Sequence, residues 1–301
     1  MELNDKKFAV LIDADNISHR KIKDILDEIA NYGTPTIKRI YGDFTDPKFA
    51  AWKSVLLENS ITPIQQYAYT TGKNATDSAL IIDAMDILHK ESVNGFCIVS
   101  SDSDYTRLAS RIRESGREVL GFGEKKTPKP FIKSCDKFIY VEILGQPAPA
   151  PAPVSAPAQT AAAVPAAKAA TPKKTAKKHQ GRNAPETDMP EAAPAEPAAA
   201  EKKVAPAPDT AQPQPIIRPI DDDFKTLLAN TIEDAADDSG WAFLGIVGGV
   251  LTKKMPDFDP RNYGYKKLSL LVKSLSKIVE IEERPSENKE LKLVYVRNRI
   301  R

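Results

Sequence analysis

The sequence predicts an α/β domain with a parallel sheet flanked by helices, then a small winged helix-turn-helix domain. Three observations carry that expectation. Apolar runs such as Phe8–Ile12 and Phe96–Val99 lack polar alternation, as strands buried on both faces do. Segments of helical spacing separate these runs, and regular β–α alternation builds a parallel sheet covered on both sides. Between residues 146 and 219, 16 prolines and 23 alanines fill 39 of 74 positions, with no Phe, Tyr or Trp. Such a stretch cannot bury enough apolar surface to offset chain entropy, so it reads as a disordered, extended linker. It divides the chain into domains at 1–145 and 220–301.

In the first domain, strand Phe8–Ile12 leads into a helix from Asn16 to about Ala30, with Ile22, Ile25, Leu26 and Ile29 at helical spacing. Strands at Thr36–Tyr41 and Ile61–Tyr67 enclose a helix around Phe49–Leu57. A helix at Thr76–Leu88, a strand at Phe96–Ser100, a helix at Asp104–Glu114 and strands at Val119–Phe122 and Phe138–Val141 follow. In the second domain, an amphipathic helix over Phe224–Ile232 follows the acidic cap Asp221–Asp223. Further helices are expected at Gly245–Lys254 and Gly264–Leu275, then alternating strands at Ile278–Glu282 and Leu291–Arg297.

Charge narrows the function. The chain carries only +2, which excludes a uniformly basic nucleic-acid binder. By segment the net charge is −1, +3 and 0, so only the linker is basic, and its Lys173–Lys178 cluster reads as a solvated spacer able to hold phosphates loosely. Cys97 and Cys135 make no disulfide framework and fit a reducing compartment. The opening residues are broken by acids and read as neither signal peptide nor membrane span, so the expectation is a cytoplasmic protein without a membrane partner.

Right-handed crossovers place all strand C-termini on one edge, where ligands bind. Acids crowd that edge. One strand runs into Asp13-Ala14-Asp15-Asn16, another into Ser100-Ser101-Asp102-Ser103-Asp104, and Asp77 opens a helix. Any one of these Asp residues suits a helix N-cap. Several converging carboxylates repel one another, and a hard divalent cation removes that cost. Oxygen donors without a His or Cys cluster select Mg²⁺ or Mn²⁺ over Zn²⁺. Asp13 and Asp102 are expected as direct ligands, with Asp77 and Asp104 as further ligands or water holders. Asn16 can hold the Asp13 turn or touch phosphate. Ser101 and Lys73 are candidate substrate contacts, and Ser100 can donate to a ligand oxygen. Asp83, six residues beyond Asp77, lies off its helix face and reads as structural. His19 and His89 stand alone.

Val10-Leu11-Ile12-Asp13-Ala14-Asp15-Asn16-Ile17, Lys73-Asn74-Ala75-Thr76-Asp77 through Asp83, and Ser100-Ser101-Asp102-Ser103-Asp104-Tyr105 together resemble the NYN domains, PIN-like nucleases, in the family's order. The resemblance implies metal-dependent cleavage of RNA and carries Asp13, Asp77, Asp102 and Asp104 over as the acidic site. Asp257-Phe258-Asp259-Pro260-Arg261-Asn262-Tyr263-Gly264-Tyr265-Lys266-Lys267-Leu268 resembles the core of the LOTUS, or OST-HTH, family. That implies binding of RNA or a protein partner, with Arg261, Tyr263, Tyr265, Lys266, Lys267 and Lys273 as candidate contacts. Two other readings stay open. One is a non-catalytic RNA-binding or scaffold protein. The other is a haloacid-dehalogenase-like phosphatase, with Asp13 as nucleophile, although Asn16-Ile17 departs from that family's pattern.

Overall fold

The computed structural model describes residues 6–67, 75–90, 92–145, 217–285 and 292–299. Lys73, the Lys173–Lys178 cluster and the expected linker up to residue 216 lie outside them.

Six strands make one parallel sheet: β1 (Lys7–Asp13), β2 (Thr34–Gly42), β3 (Thr62–Gln65), β4 (Gly95–Val99), β5 (Glu118–Gly123) and β6 (Lys137–Tyr140). Their order is β3-β2-β1-β4-β5-β6. The chain builds outward from β1 in one direction and then from β4 in the other. The β1–β4 boundary is therefore a topological switch point, where crossovers diverge and leave a crevice. Ile12 pairs with Val99 across that boundary, which sets Asp13 beside Ser100.

Strand β1 shows why the apolar runs do not alternate. Phe8, Val10 and Ile12 face a core with α1 (Ile22–Ile29) and α2 (Trp52–Glu58). Ala9 and Leu11 face a second core with α3 (Ala75–Lys90), α4 (Thr106–Glu114) and α5 (Lys129–Ser134). Both faces are buried, so both parities must be apolar. The helix expected from Asn16 begins at Ile22, after a 3₁₀ turn at His19–Lys21, because the Asn16 side chain is engaged in the turn that follows β1. The six-residue α5 was not expected, since Pro128 and Pro130 mask so short a helix.

The C-terminal module holds α6 (Asp222–Asp234), β7 (Ala242–Phe243), α7 (Leu244–Lys254), α8 (Leu268–Ser274), β8 (Val279–Pro285) and β9 (Lys292–Asn298). The strands form an antiparallel sheet, β7-β9-β8. Asp221 caps α6 through the Phe224 N–H at 2.8 Å. The third helix was expected from Gly264 but starts at Leu268. Gly264 sits at φ 82°, the left-handed region, and Lys267 is extended, so the chain cannot yet be helical there. Among the described residues no helix is long and apolar enough to cross a membrane.

Candidate active site

Asp13 ends β1 with only 1% of its surface exposed. Its Oδ1 accepts the Asp15 N–H at 3.0 Å, and its Oδ2 accepts Asn16 Nδ2 at 2.7 Å and Ser100 Oγ at 2.8 Å. Burial raises the carboxyl above its ordinary range, the Asn16 and Ser100 hydrogen bonds oppose that, and nearby Asp77 adds to it. Asn16 thus holds the Asp13 turn, one of its two expected roles.

Above this buried carboxylate, Asp77, Asp102 and Asp104 bring one oxygen each within 4.8 Å of one another. Asp77 comes from the first turn of α3. The other two come from the turn after β4, where Asp102 Oδ1 accepts the Asp104 N–H at 2.9 Å. Asp102 therefore is an N-cap and also belongs to the cluster, so the two readings do not compete. Asp77 is raised by burial first and then by Asp102, Asp104 and Asp15. Asp13 stands outside the trio, although the sequence placed it with Asp102 as a direct ligand.

Tyr105 joins the two levels. Its buried hydroxyl donates to Asp77 Oδ1 at 2.7 Å and lies 3.5 Å from Asp13 Oδ2. Sequence reasoning passed over its role, although it closes the Ser-Asp-x-Asp-Tyr motif. Lys48 was also missed: its Nζ meets Asp15 at 2.9 Å, from a loop that no motif marks. Asp83 is structural, as expected, paired with Arg39 and accepting the Tyr41 hydroxyl at 2.5 Å.

Ser101, expected as a substrate contact, serves the loop architecture here. It is buried, and its Oγ accepts the Glu124 N–H at 2.8 Å, which ties the β5–α5 loop to the β4 turn. Gly123 permits that closeness, because a Cβ there would lie 2.6 Å from the Ser100 carbonyl oxygen. Lys73 lies outside the described residues.

The expected contacts of the C-terminal module divide. Tyr263 is core: it is 7% exposed, and its ring stacks on Phe224 at 4.7 Å. Tyr265 packs partly buried against the same cluster. Arg261 is held by Asp259 at 2.7 Å and by Glu28 of α1 at 2.8 Å, so its fork is occupied. Lys273 pairs with Glu283 at 2.9 Å. Lys266 and Lys267 are exposed, as is the paired Lys273.

Residues 7–143 match the NYN domain model, and residues 215–291 match the OST-HTH/LOTUS domain model. No curated protein gives a match. Three solved structures resemble parts of the chain. A Vibrio parahaemolyticus protein of unknown function is 18% identical over 46% of this chain and 95% of its own, at a TM-score of 0.40. An uncharacterised Nitrosomonas europaea protein is 35% identical over 34% of this chain and 94% of its own, at 0.26. A Chromobacterium violaceum fragment is 37% identical over 25% of this chain and 78% of its own, at 0.22.

Proposed function

This chain carries an NYN domain followed by an OST-HTH/LOTUS domain, and we propose that it is a ribonuclease that uses a divalent metal ion, Mg²⁺ or Mn²⁺. One observation carries the reading: three carboxylates, one from α3 and two from the turn after β4, converge at the sheet's switch point, over a fourth that is buried. An oxygen-only donor set fits a hard cation. Asp77, Asp102 and Asp104 would hold it. When bound, such an ion activates water and neutralises charge on a phosphodiester oxygen.

The chain's own residues supply the rest. Tyr105 fixes Asp77 by its hydrogen bond. Asp13 anchors the floor, drawing Asn16 and Ser100 toward the cluster, and its charge strengthens the pull on a cation. A cluster oxygen not engaged with the cation can take the proton released by water. Asp13 has both oxygens occupied and almost no exposure, which argues against the phosphatase reading with Asp13 as nucleophile. The C-terminal module adds RNA or partner binding through its exposed lysines.

The test uses purified full chain, labelled RNA, and Mg²⁺ or Mn²⁺ against chelator. Asp102→Asn keeps an oxygen for its cap and loses the charge, so cleavage should fall by roughly a hundredfold or more while the fold stands. Parent-like cleavage by the variant, or parent cleavage in chelator, overturns the assignment. RNA binding without cleavage under either metal returns the scaffold reading.

A further inference from the structure

The C-terminal module and the NYN domain fall in one compact unit. Strand β6 is one of the sheet's two outer strands, with one row of backbone groups that no neighbouring strand covers. The module covers part of that edge: the Phe138 N–H donates to the Pro256 carbonyl at 2.9 Å. The Tyr140 hydroxyl donates to Asp257 at 2.8 Å, and Arg218 meets the same carboxylate at 2.9 Å. The Arg261–Glu28 pair closes the contact at the other end of β6, near Lys137.

Two clefts of about 650 and 740 Å³ flank this seam, and Lys133 and Pro256 line both. Their walls are rich in cations from both domains. Lys129, Lys133, Arg117 and Lys253 line them without an ion pair among the described residues. The acids beside them are largely engaged: Asp257 with Arg218, Asp136 with Arg113, Glu118 with Lys6, and Asp221 as the α6 cap. Asp223 remains on the rim of the first cleft. One wall of that cleft is tied through the chain to the turn that carries Asp102 and Asp104. Lys125 lines it, directly after Glu124, whose N–H is held by Ser101 beside Asp102.

We infer that this seam is a track for the backbone of single-stranded RNA, running from the carboxylate cluster between the two domains. The inference rests on the RNA reading above. Unpaired lysines and arginine in a groove neutralise successive phosphates. Clefts of this volume suit about one or two nucleotides each, not the breadth of a duplex. It also explains a module of zero net charge: the RNA surface is shared, and neither domain need be basic alone.

The experiment is a titration of labelled RNA with the full chain in chelator, at several salt concentrations. A long single strand, a duplex and a tetranucleotide are compared. Lys129→Glu/Lys133→Glu/Lys253→Glu changes exposed side chains, and the matching triple Ala variant guards against misfolding. Both should bind the long strand at least tenfold more weakly. The Ala variant's salt slope should be shallower by about 2, at ~0.7 per lost cation. With Mn²⁺ in place of chelator, cleavage of the tetranucleotide, which spans only the cluster, should be unchanged. Parent-like affinity and slope in both variants overturns the seam, as does equal loss on the tetranucleotide or a parent preference for duplex. The nuclease reading fails separately: a parent that binds the long strand through the seam but cuts nothing with Mg²⁺ or Mn²⁺ keeps the track and loses the enzyme.

Discussion

The two ends of this molecule treat their aspartates in opposite ways. At the switch point of the large sheet, Asp13, Asp77 and Asp102 have no cationic partner among the described residues, and their neighbours are hydroxyls, amides and one another. In the C-terminal module, Asp257 and Asp259 are equally sheltered, yet each meets an arginine, Arg218 and Arg261. Buried charge must be compensated. Where the chain supplies the cation, the carboxylate is structural. Where it does not, hydrogen bonds and solvent carry the charge, and a bound cation or proton would add to them. The contrast therefore separates architecture from chemistry without reference to any motif.

The largest expected effect breaks the balanced end. Arg261→Ala leaves Asp259 and Glu28 sheltered and unpaired. Removing one partner of a buried pair costs about 3–5 kcal/mol, and Arg261 is one-third exposed, so we expect about 2–3 kcal/mol in urea unfolding. Were Arg261 instead a phosphate contact, RNA affinity would drop and stability would not.

A smaller effect of opposite sign belongs to the unbalanced end. Asp77 has a raised carboxyl, so the folded state holds its proton more tightly than the unfolded chain does. Its stabilising contribution is fully present below the unfolded value of about 3.9 and is lost as pH rises through the folded value. At neutral pH without metal, Asp77 is therefore a liability. Asp77→Asn retains an oxygen for Tyr105 and should raise the melting temperature by a few degrees in chelator, a gain that fades toward pH 3. Added Mn²⁺ should reverse the ranking, because it stabilises the parent by mass action. A variant that melts below the parent in chelator at pH 7 contradicts the account.

The smallest effect concerns Lys273. Its pair with Glu283 is half-exposed and screened by solvent, so Lys273→Ala should leave the melting temperature almost unchanged. A clear loss of RNA affinity at unchanged stability would return Lys273 to the contact surface.

Short-range physics alone determined much of this protein. Uninterrupted apolar runs could only be strands buried on both faces, and acids placed directly after those runs could only gather on one sheet edge. Asp221 announced itself as a cap, because capping is a contact between near neighbours in sequence, whereas at the β4 turn the cap is Asp102 and not Asp104. Asp83 could be set aside by helical angle alone. Tertiary structure decided what depends on distant partners. It set Asp13 beneath the trio, because the hydroxyl of Ser100, 87 residues away, reaches its carboxylate. It made Tyr263 a core ring stacked on Phe224, where exposed stacking was equally consistent with the sequence. It turned Arg261 from a candidate RNA contact into an ion pair with a carboxylate 233 residues distant. Periodicity and spacing report which face of an element is apolar. Which charge meets which is a property of the folded whole, because Coulombic and hydrogen-bond partners are chosen through space.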